Sequence, residues 1–224
     1  MKKIVLAFIL ACGVTLIGCA PILTRGEQYA KLYEHKPITL LVMPPINNTT
    51  NVEAKDLLYT SISKPLIESG YYVVPPYLAM DVLKNESAYD AELFLESSLK
   101  PFLQYFGADA VVFSVIDTWA KQGFGIRTKI KYLVKSTHTN EVLFEKSCDL
   151  YLNLSYNSAG NSALGALTNL IASAISTATT DHIVAARKAN YFIFSDIPRG
   201  KYHPMYLQDK EVGATSKEIR ATVN

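Results

Sequence analysis

Residues that form cross-links or carry reactive chemistry are scarce in this chain. It has three cysteines, four histidines and one tryptophan among 224 residues. Cys12 and Cys19 lie in the N-terminal stretch discussed below, so Cys148 is left alone and no disulfide can form within the folded part. Cys148 lies in an apolar alternation, which predicts a buried thiol, and a reactive thiol or an intermolecular bridge is the alternative.

An excess of one charge is also lacking. The chain has 22 Lys and Arg residues against 20 Asp and Glu residues, and Lys2 and Lys3 lie in the N-terminal stretch. A neutral folded part gives no electrostatic argument for binding nucleic acid. We therefore expect no nucleic-acid partner.

Motifs of catalytic and cofactor sites are missing. There is no phosphate loop, no Gly-x-Gly-x-x-Gly, no His-Glu-x-x-His and no Cys-x-x-Cys. Asp181-His182 with Ser176 suggests a catalytic triad, but adjacent helical residues point to different sides and no nucleophile elbow is present. The histidines are widely separated, with no metal-ligating neighbour at a useful spacing. We expect no enzyme, no catalytic residue, no metal and no cofactor.

The N-terminal stretch has the pattern of an export signal. Lys2 and Lys3 precede an apolar run from Ile4 to Ile17, which is shorter than the ~20 residues that span a bilayer. The run ends in Leu16, Ile17, Gly18 and Cys19, which resembles the bacterial lipoprotein cleavage box. This resemblance implies a signal peptide over residues 1–18 and acylation, of the palmitate type, at Cys19. A plain secretory signal that contains a cysteine is the alternative.

The same box predicts the compartment. Two or more acyl chains anchor a protein stably to a membrane. Ala20 follows Cys19, and the absence of an aspartate there favours the outer membrane in a Gram-negative cell. We expect a lipid-anchored protein that faces the periplasm, with the cell surface as the alternative, and residues 19–36 as a polar tether.

Residues 37–207 are predicted to form a single α/β domain. An apolar strand at Ile38–Met43, a helix at about Val52–Ser69 and a strand at Tyr71–Val74 make a βαβ-like start, which predicts parallel pairing. Ala108–Ile116 is apolar on both faces, as a central strand is. The predicted fold class is α/β (α+β), a mixed β-sheet flanked by helices, with a polar tail at residues 208–224.

Two alternating segments predict a charged hairpin. In the first, Ile126 to Val134, the apolar residues alternate with outward Arg127, Lys129 and Lys131, and Lys135 follows outward as well. In the second, Glu141 to Leu154, the inward set is Val142, Phe144, Cys148, Leu150, Leu152 and Leu154. An odd loop at residues 137–139 would place Lys131 opposite Glu145 and Arg127 opposite Asp149, a solvated charge ladder. A basic binding patch is the alternative.

A long C-terminal helix is predicted over residues 162–188. It carries no charge from Ala163 to Thr180 and is rich in Ala, Ser, Thr and Gly. Asn169 and the hydroxyl residues make it too polar for a membrane span. Small side chains permit close backbone approach, so we expect a tightly packed or self-associating helix and a homodimer or larger oligomer. The candidate contact residues are Ala163, Ala166, Leu167, Leu170, Ala174 and Ala178.

A polar loop follows the first strand. In α/β sheets ligands bind beyond the carboxyl ends of strands, so Asn47, Asn48, Thr49 and Thr50 are candidate ligand contacts. The other interpretation is that the loop caps the next helix, with Asn51 as the cap. Binding of a small envelope ligand is therefore the alternative function.

Three segments together carry a family resemblance. They are Leu40–Thr49 (LLVMPPINNT), Lys64–Pro75 (KPLIESGYYVVP) and Phe106–Val112 (FGADAVV), followed by the charged hairpin. This resembles a family of bacterial outer-membrane lipoproteins of unknown function with a fold like the N-terminal domain of TolB. The periplasmic domain of the curli-secretion channel CsgG is similar in plan.

The resemblance implies an outer-membrane lipoprotein that forms a dimer or larger oligomer and works with other envelope proteins. A CsgG-like channel lipoprotein is the candidate partner, and the family supplies no catalytic residues. Sequence and resemblance together predict a non-enzymatic, lipid-anchored periplasmic protein. It would self-associate and support an outer-membrane assembly, secretion or transport complex.

Overall fold

The computed structural model describes residues 23–154 and 178–223. Two short helices come first, followed by an alternation of strands and helices and then three long strands, one long helix and a final strand. In chain order the elements are α1 (Arg25–Gln28), α2 (Ala30–His35), β1 (Thr39–Val42), β2 (Ile46–Asn47), α3 (Glu53–Glu68), β3 (Tyr72–Val73), α4 (Pro76–Asn85), a 3-10 turn (Ala91–Phe94), α5 (Lys100–Phe106), β4 (Ala110–Gln122), β5 (Gly125–Ser136), β6 (Val142–Asn153), α6 (Ala178–Phe194) and β7 (Glu218–Val223).

Within the described residues the strands form one mixed sheet of seven, in the order β3-β1-β4-β5-β6-β7, with β2 paired to β4. β1 pairs in parallel with both β3 and β4, as the βαβ-like start predicts. β4, β5 and β6 form an antiparallel meander, and β7 joins β6 in parallel. The predicted fold class, a mixed sheet flanked by helices, is confirmed.

The molecule has two ends, which we call basal and distal. At the basal end β1, β4 and β6 begin, and α3 and α6 end. At the distal end lie the β4–β5 turn, the start of α3 and the start of α6. With 13 residues in β4, the two ends are about 40 Å apart along this strand.

Two apolar clusters cover the sheet. The larger lies under α3 and α6, and it includes Leu58, Ile62, Tyr132, Phe144 and Phe194. The smaller lies on the other face of β1 and β4, under α4 and α5, and it includes Leu41, Phe102 and Phe113. The outward face of β5, β6 and β7 instead carries half-buried and exposed polar side chains.

Gly70 stops α3, as its position in the sequence predicts. Its φ is +90°, a conformation that L side chains rarely adopt. A Cβ at this position would also lie 2.5 Å from the backbone nitrogen of His203. Gly70 is therefore required both by the turn and by the close approach of the chain after α6.

Both terminal segments differ from their predicted roles. Residues 23–36 are not a free tether, because α1 and α2 pack onto the domain and bury Tyr29, Leu32 and Tyr33. The interpretation of residues 208–224 as a frayed tail is also wrong, because Glu218–Val223 pairs with β6. Tyr29, Leu32 and Tyr33 have helical spacing and Glu218–Val223 alternates with period two, but both patterns are short, so long-range contacts decide whether the segments join the domain.

The charged hairpin forms with a shifted register. Arg127 faces Tyr151 and Lys131 faces Ser147, two positions away from the predicted partners. The predicted ion pairs nevertheless form diagonally, with Arg127 Nη2 2.7 Å from Asp149 and Lys131 Nζ 2.8 Å from Glu145. Long side chains reach the diagonal neighbour on the same face of a sheet.

Two side chains near the basal turn differ from their predicted burial, for different reasons. The register shifts between Val134 and Lys135, which leaves Leu143 of β6 as a bulge. Val142, predicted inward, is 39% exposed, and its neighbour Leu143 is buried in its place. Lys135 stays on the predicted outward face but is buried, because the segment of Leu95 covers that face and the carbonyl of Leu95 accepts from its ammonium.

The long C-terminal helix runs further than predicted at its end. α6 continues without a break to Phe194, six residues beyond the predicted end at residue 188. Residues 163–174 of the candidate self-association set lie outside the described residues, and so do Leu16, Ile17, Gly18 and Cys19. No helix in the described ranges has the length and apolar character needed to cross a bilayer.

Candidate functional site

A cluster of buried polar groups lies at the basal end, where one lysine and one arginine contact two carboxylates. Lys146 on β6 has no exposed surface, and Asp196, just after α6, is 2% exposed. The Lys146 ammonium donates to the Asp196 carboxylate and, at 3.0 Å, to the hydroxyl of Tyr29. Tyr29 in turn donates to Asp196 at 2.6 Å. These three residues, together with Arg25, Tyr33 and Asp209, form what we call the basal network.

Arg25 joins this group to a second carboxylate, Asp209. Its guanidinium donates to Asp209 at 3.1 Å and to the carbonyl of Ser195 at 2.9 Å. The backbone nitrogen of Arg199 donates to the same Asp209 oxygen as Arg25, at 3.0 Å, and Tyr33 donates to the other oxygen at 2.9 Å. The basal network therefore joins α1, α2, β6, the turn after α6 and the segment before β7.

The environment sets the protonation states of the network. Burial alone would raise the pKa of the Asp196 carboxyl, but hydrogen bonds from Lys146 and Tyr29 outweigh it and hold that pKa below its usual value. Burial lowers the pKa of Lys146, against the attraction of Asp196. Burial and the hydrogen bond to Asp196 raise the pKa of Tyr29, so this phenol stays neutral.

The hydrogen bonds of the basal network hold separate segments of the chain together. Each carboxylate oxygen of Asp209 accepts from Tyr33, Arg25 or Arg199, and Thr215 adds its backbone nitrogen to Asp196 at 3.1 Å. The cavity beside it, between Tyr33, Tyr71 and Arg199, holds about 10 Å³, room for one water at most. Among the described residues these hydrogen bonds join segments that are far apart in the chain, so the network fixes their relative geometry.

The predicted ligand loop forms, and Asn47, Thr49 and Asn51 hydrogen-bond to one another within it. Asn47 accepts from the backbone of Thr49 at 3.1 Å and donates to the carbonyl of Asn51 at 2.7 Å. Asn51 accepts from the backbone of Ala54 at 3.1 Å, which is the predicted cap of α3. Asn48 donates to Asp117 at 3.2 Å, and Thr50 is exposed. A ligand role for the loop stays a prediction, since capping accounts for these contacts.

A shallow groove of about 490 Å³ lies on the outward face of the sheet, towards the distal end. Arg127, Asp149, Tyr151 and Arg220 line it. Arg127 binds Asp149 through two hydrogen bonds of 2.9 and 2.7 Å, and this pairing lowers the pKa of the Asp149 carboxyl. Because Arg220 adds a second cation, the groove has a net positive charge.

His182 and Cys148, which the sequence patterns point to, are buried away from the basal network. His182 accepts a 2.7 Å hydrogen bond at Nδ1 from the indole of Trp119, which occupies the nitrogen that a triad carboxylate would contact. Cys148 is a free, buried thiol, as predicted, and burial raises its pKa to about 12. In the described part of the chain no group of His, Cys, Asp and Glu side chains could hold a metal ion.

Comparison with known proteins identifies the family. The family model described as "Putative lipoprotein GNA1162-like" matches residues 27–197. The chain belongs to the GNA1162-like lipoprotein family. A Neisseria meningitidis serogroup B protein, "Putative lipoprotein NMB1124/NMB1162", is 25% identical over 186 residues, which cover 81% of this chain and 84% of that protein.

Two solved structures are also similar. The crystal structure of lipoprotein GNA1162 from Neisseria meningitidis is 24% identical, with a TM-score of 0.48, and covers 62% of this chain and 100% of its own. A PelC dodecamer from Paraburkholderia phytofirmans is 11% identical, with a TM-score of 0.42, and covers 80% of this chain and 93% of its own.

Membership places the protein among membrane-anchored lipoproteins of the cell envelope, as the box ending at Cys19 predicts. The family match includes Tyr29, Tyr33, Lys146 and Asp196 but ends before Asp209. The second carboxylate of the basal network therefore comes from a segment that the family model does not describe.

The sequence patterns did not identify the basal network. One signal was available. Lys146 lies two residues from both Phe144 and Cys148, so in an alternating strand its side chain points inward like theirs. A lysine at such a position needs a buried partner. The partner itself could not be read from the sequence, because Asp196 lies 50 residues away in a turn.

Proposed function

We propose that this GNA1162-like protein is a non-enzymatic lipoprotein anchored through lipid on Cys19 to the outer membrane, facing the periplasm. It self-associates as a homodimer or larger oligomer and supports an outer-membrane assembly, secretion or transport complex. Family membership supports the lipid anchor. The resemblance to TolB-like and CsgG-like domains supports the finer statements on location and partners.

The observation that carries the proposal is the separation of the two ends. The described chain begins at Leu23 beside the basal network, whereas the small-residue stretch is flanked by Leu154 and Ala178 at the distal end. The backbone nitrogen of Leu154 donates to Phe124 in the β4–β5 turn at 2.8 Å. A contact made by residues between these flanks would start from the end opposite the anchor, where a second copy or another protein can reach.

Self-association can be tested on the full lipoprotein in detergent micelles. We expect the wild type to sediment as an oligomer and the double variant Ala166→Leu, Ala174→Leu to shift towards monomer. Ala120→Leu is the matched control, since Ala120 is exposed on the outward face of β4. A wild type that sediments as a monomer, or a control that shifts as much as the double variant, would contradict the proposal.

The partner is the second part of the proposal. We expect a CsgG-like channel lipoprotein to be recovered with the intact protein from detergent-solubilised envelopes. The recovery should fall with the Cys19→Ser variant, because this variant lacks the thiol that carries the lipid. Equal recovery of the same proteins with an unrelated lipoprotein would remove this partner.

Binding of a small envelope ligand is the second candidate function. The groove with Arg127 and Arg220 favours it over the loop at residues 47–50, because the loop uses its polar groups internally. Native mass spectrometry of the wild type and of Arg220→Gln tests this idea. A retained anionic ligand that is lost in the variant would support it, and an unliganded wild type would count against it.

A further inference from the structure

The basal end exposes apolar side chains next to the first described residue. Leu23 is 49% exposed and Val212 is 45% exposed. The two belong to neighbouring backbone segments, since Arg25 donates to the carbonyl of Val212 and Ala214 donates to the carbonyl of Leu23, both at 2.8 Å. Tyr202 and Met205, in the turn against the end of α3, are also exposed.

Exposure alone does not distinguish this end from the other. Val52 at the start of α3 is 84% exposed, and Phe124 in the β4–β5 turn is 80% exposed. An extended chain covers at most about 3.5 Å per residue, so the four steps from Cys19 to Leu23 span no more than about 14 Å. A lipid on Cys19 therefore holds Leu23 within that distance of the membrane, whereas Val52 lies the length of α3 away, about 24 Å.

The basal network fixes the chain to the domain close to Leu23, so the short distance from Cys19 applies to the whole domain. Arg25 is two residues after Leu23, and it is held by Asp209 and the carbonyl of Ser195. Thr24 also pairs with Gly213 in an antiparallel bridge. Because the chain is fixed to the domain directly after Leu23, the domain cannot swing away from the membrane on a long flexible linker.

Charge in the segment that carries Val212, Tyr202 and Met205 suits a phospholipid surface. In the segment from residue 201 to residue 217 the exposed charges are three lysines, Lys201, Lys210 and Lys217, against one glutamate, Glu211. The remaining acid, Asp209, is buried and paired with Arg25. Lysines beside apolar side chains favour contact with anionic headgroups.

We propose that the basal end of the domain lies directly on the lipid surface, with Leu23 and Val212 among the headgroups and the distal end directed away from the membrane. This inference rests on the lipid at Cys19 that forms part of the proposed function. It adds to it the face of the domain that meets the membrane.

Single-cysteine labelling of the full chain tests this orientation. Val212→Cys and the matched control Val52→Cys are labelled with an environment-sensitive fluorophore; Cys148 is buried and lipid occupies Cys19, so only the new thiol reacts. The lipoprotein is then placed in vesicles of phosphatidylethanolamine and phosphatidylglycerol with spin-labelled headgroups. We expect a shift to shorter wavelength and several-fold stronger quenching at position 212 than at position 52.

The outcomes separate this inference from the anchor itself. If the chain floats with the vesicles but positions 212 and 52 are quenched equally, the orientation is wrong and the anchor stands. If the chain does not float, the anchor is wrong and the orientation falls with it. A Cys12→Ser, Cys19→Ser, Val212→Cys chain gives the lipid-free baseline with one reactive thiol, and a label already shielded there without vesicles would assign this face to a second copy.

Discussion

The two faces of β6 carry the same kind of contact in opposite surroundings. On the inward face Lys146, without exposed surface, binds Asp196 within the basal network. On the outward face, three residues further along, Asp149 binds Arg127, whose side chain is 45% exposed. Water and salt screen the outward pair, whereas removing one partner of the inward pair leaves a buried charge. Burial, and not the presence of an ion pair, decides how much the removal of one partner costs.

The largest expected effect comes from breaking the inward pair. Asp196→Ala leaves Lys146 buried without its carboxylate, which we expect to lower the free energy of unfolding by about 3–5 kcal/mol. Urea unfolding followed by circular dichroism measures this loss. Asp149→Ala on the outward face is the control, with a much smaller expected loss. Equal losses in the two variants would show that burial does not separate the two faces.

The next largest loss of stability is expected from replacing a glycine at the basal end, Gly70, and Gly123 at the distal end is the comparison. Gly70→Ala would place an alanine in a backbone conformation with φ +90° and its Cβ 2.5 Å from the backbone nitrogen of His203. We therefore expect the free energy of unfolding to fall by roughly 3 kcal/mol. Gly123→Ala, at the distal turn with φ +56°, meets only the hydroxyl of Tyr151 at 3.8 Å. Its expected loss is about 1–2 kcal/mol, from the backbone conformation alone.

Thermal melts of both glycine variants at one pH give this comparison. A Gly123→Ala variant that loses as much stability as Gly70→Ala would indicate that conformational strain dominates at both sites. The close packing of residues 200–203 against Gly70 would then add nothing.

Acid should weaken the inward pair. The pKa of Asp196 is lower in the folded protein than the value of about 3.9 in an unfolded chain. Its contribution is therefore complete above about pH 4 and is lost as the pH falls through the lower folded value. Urea midpoints measured from about pH 7 to pH 3 should fall, and Asp196→Asn should flatten that fall more than Asp149→Asn does.

The smallest expected effect concerns the outward pair. A double-mutant cycle with Arg127→Gln and Asp149→Asn should give a small coupling that fades in about 1 M salt, where the Debye length is about 3 Å. The same cycle with Lys146→Met and Asp196→Asn should give a larger coupling that salt changes little. A salt-sensitive inward coupling would mean that water reaches the basal network.

Periodicity predicted much of the fold because it depends on local patterns. It found the strand–helix–strand start, the antiparallel hairpin and the cap at Asn51. It also found both outward ion pairs, although the register is shifted by two, because side chains on one face remain within reach after an even shift. It failed at Val142, where a bulge breaks the alternation of β6, and it missed the burial of Lys135, because the segment of Leu95 covers the outward face there.

The sequence by itself predicts the export signal and the cysteine available for lipid, and it determined the strand–helix–strand start, the hairpin and the inward parity of Lys146. The tertiary structure alone decided what meets Lys146, why residues 23–36 are part of the domain and that the chain end forms β7. Alternation tells which face of a strand is buried but not which distant segment covers that face. The pairing of Arg25 with Asp209, 184 residues apart, exists only once the chain has closed on itself.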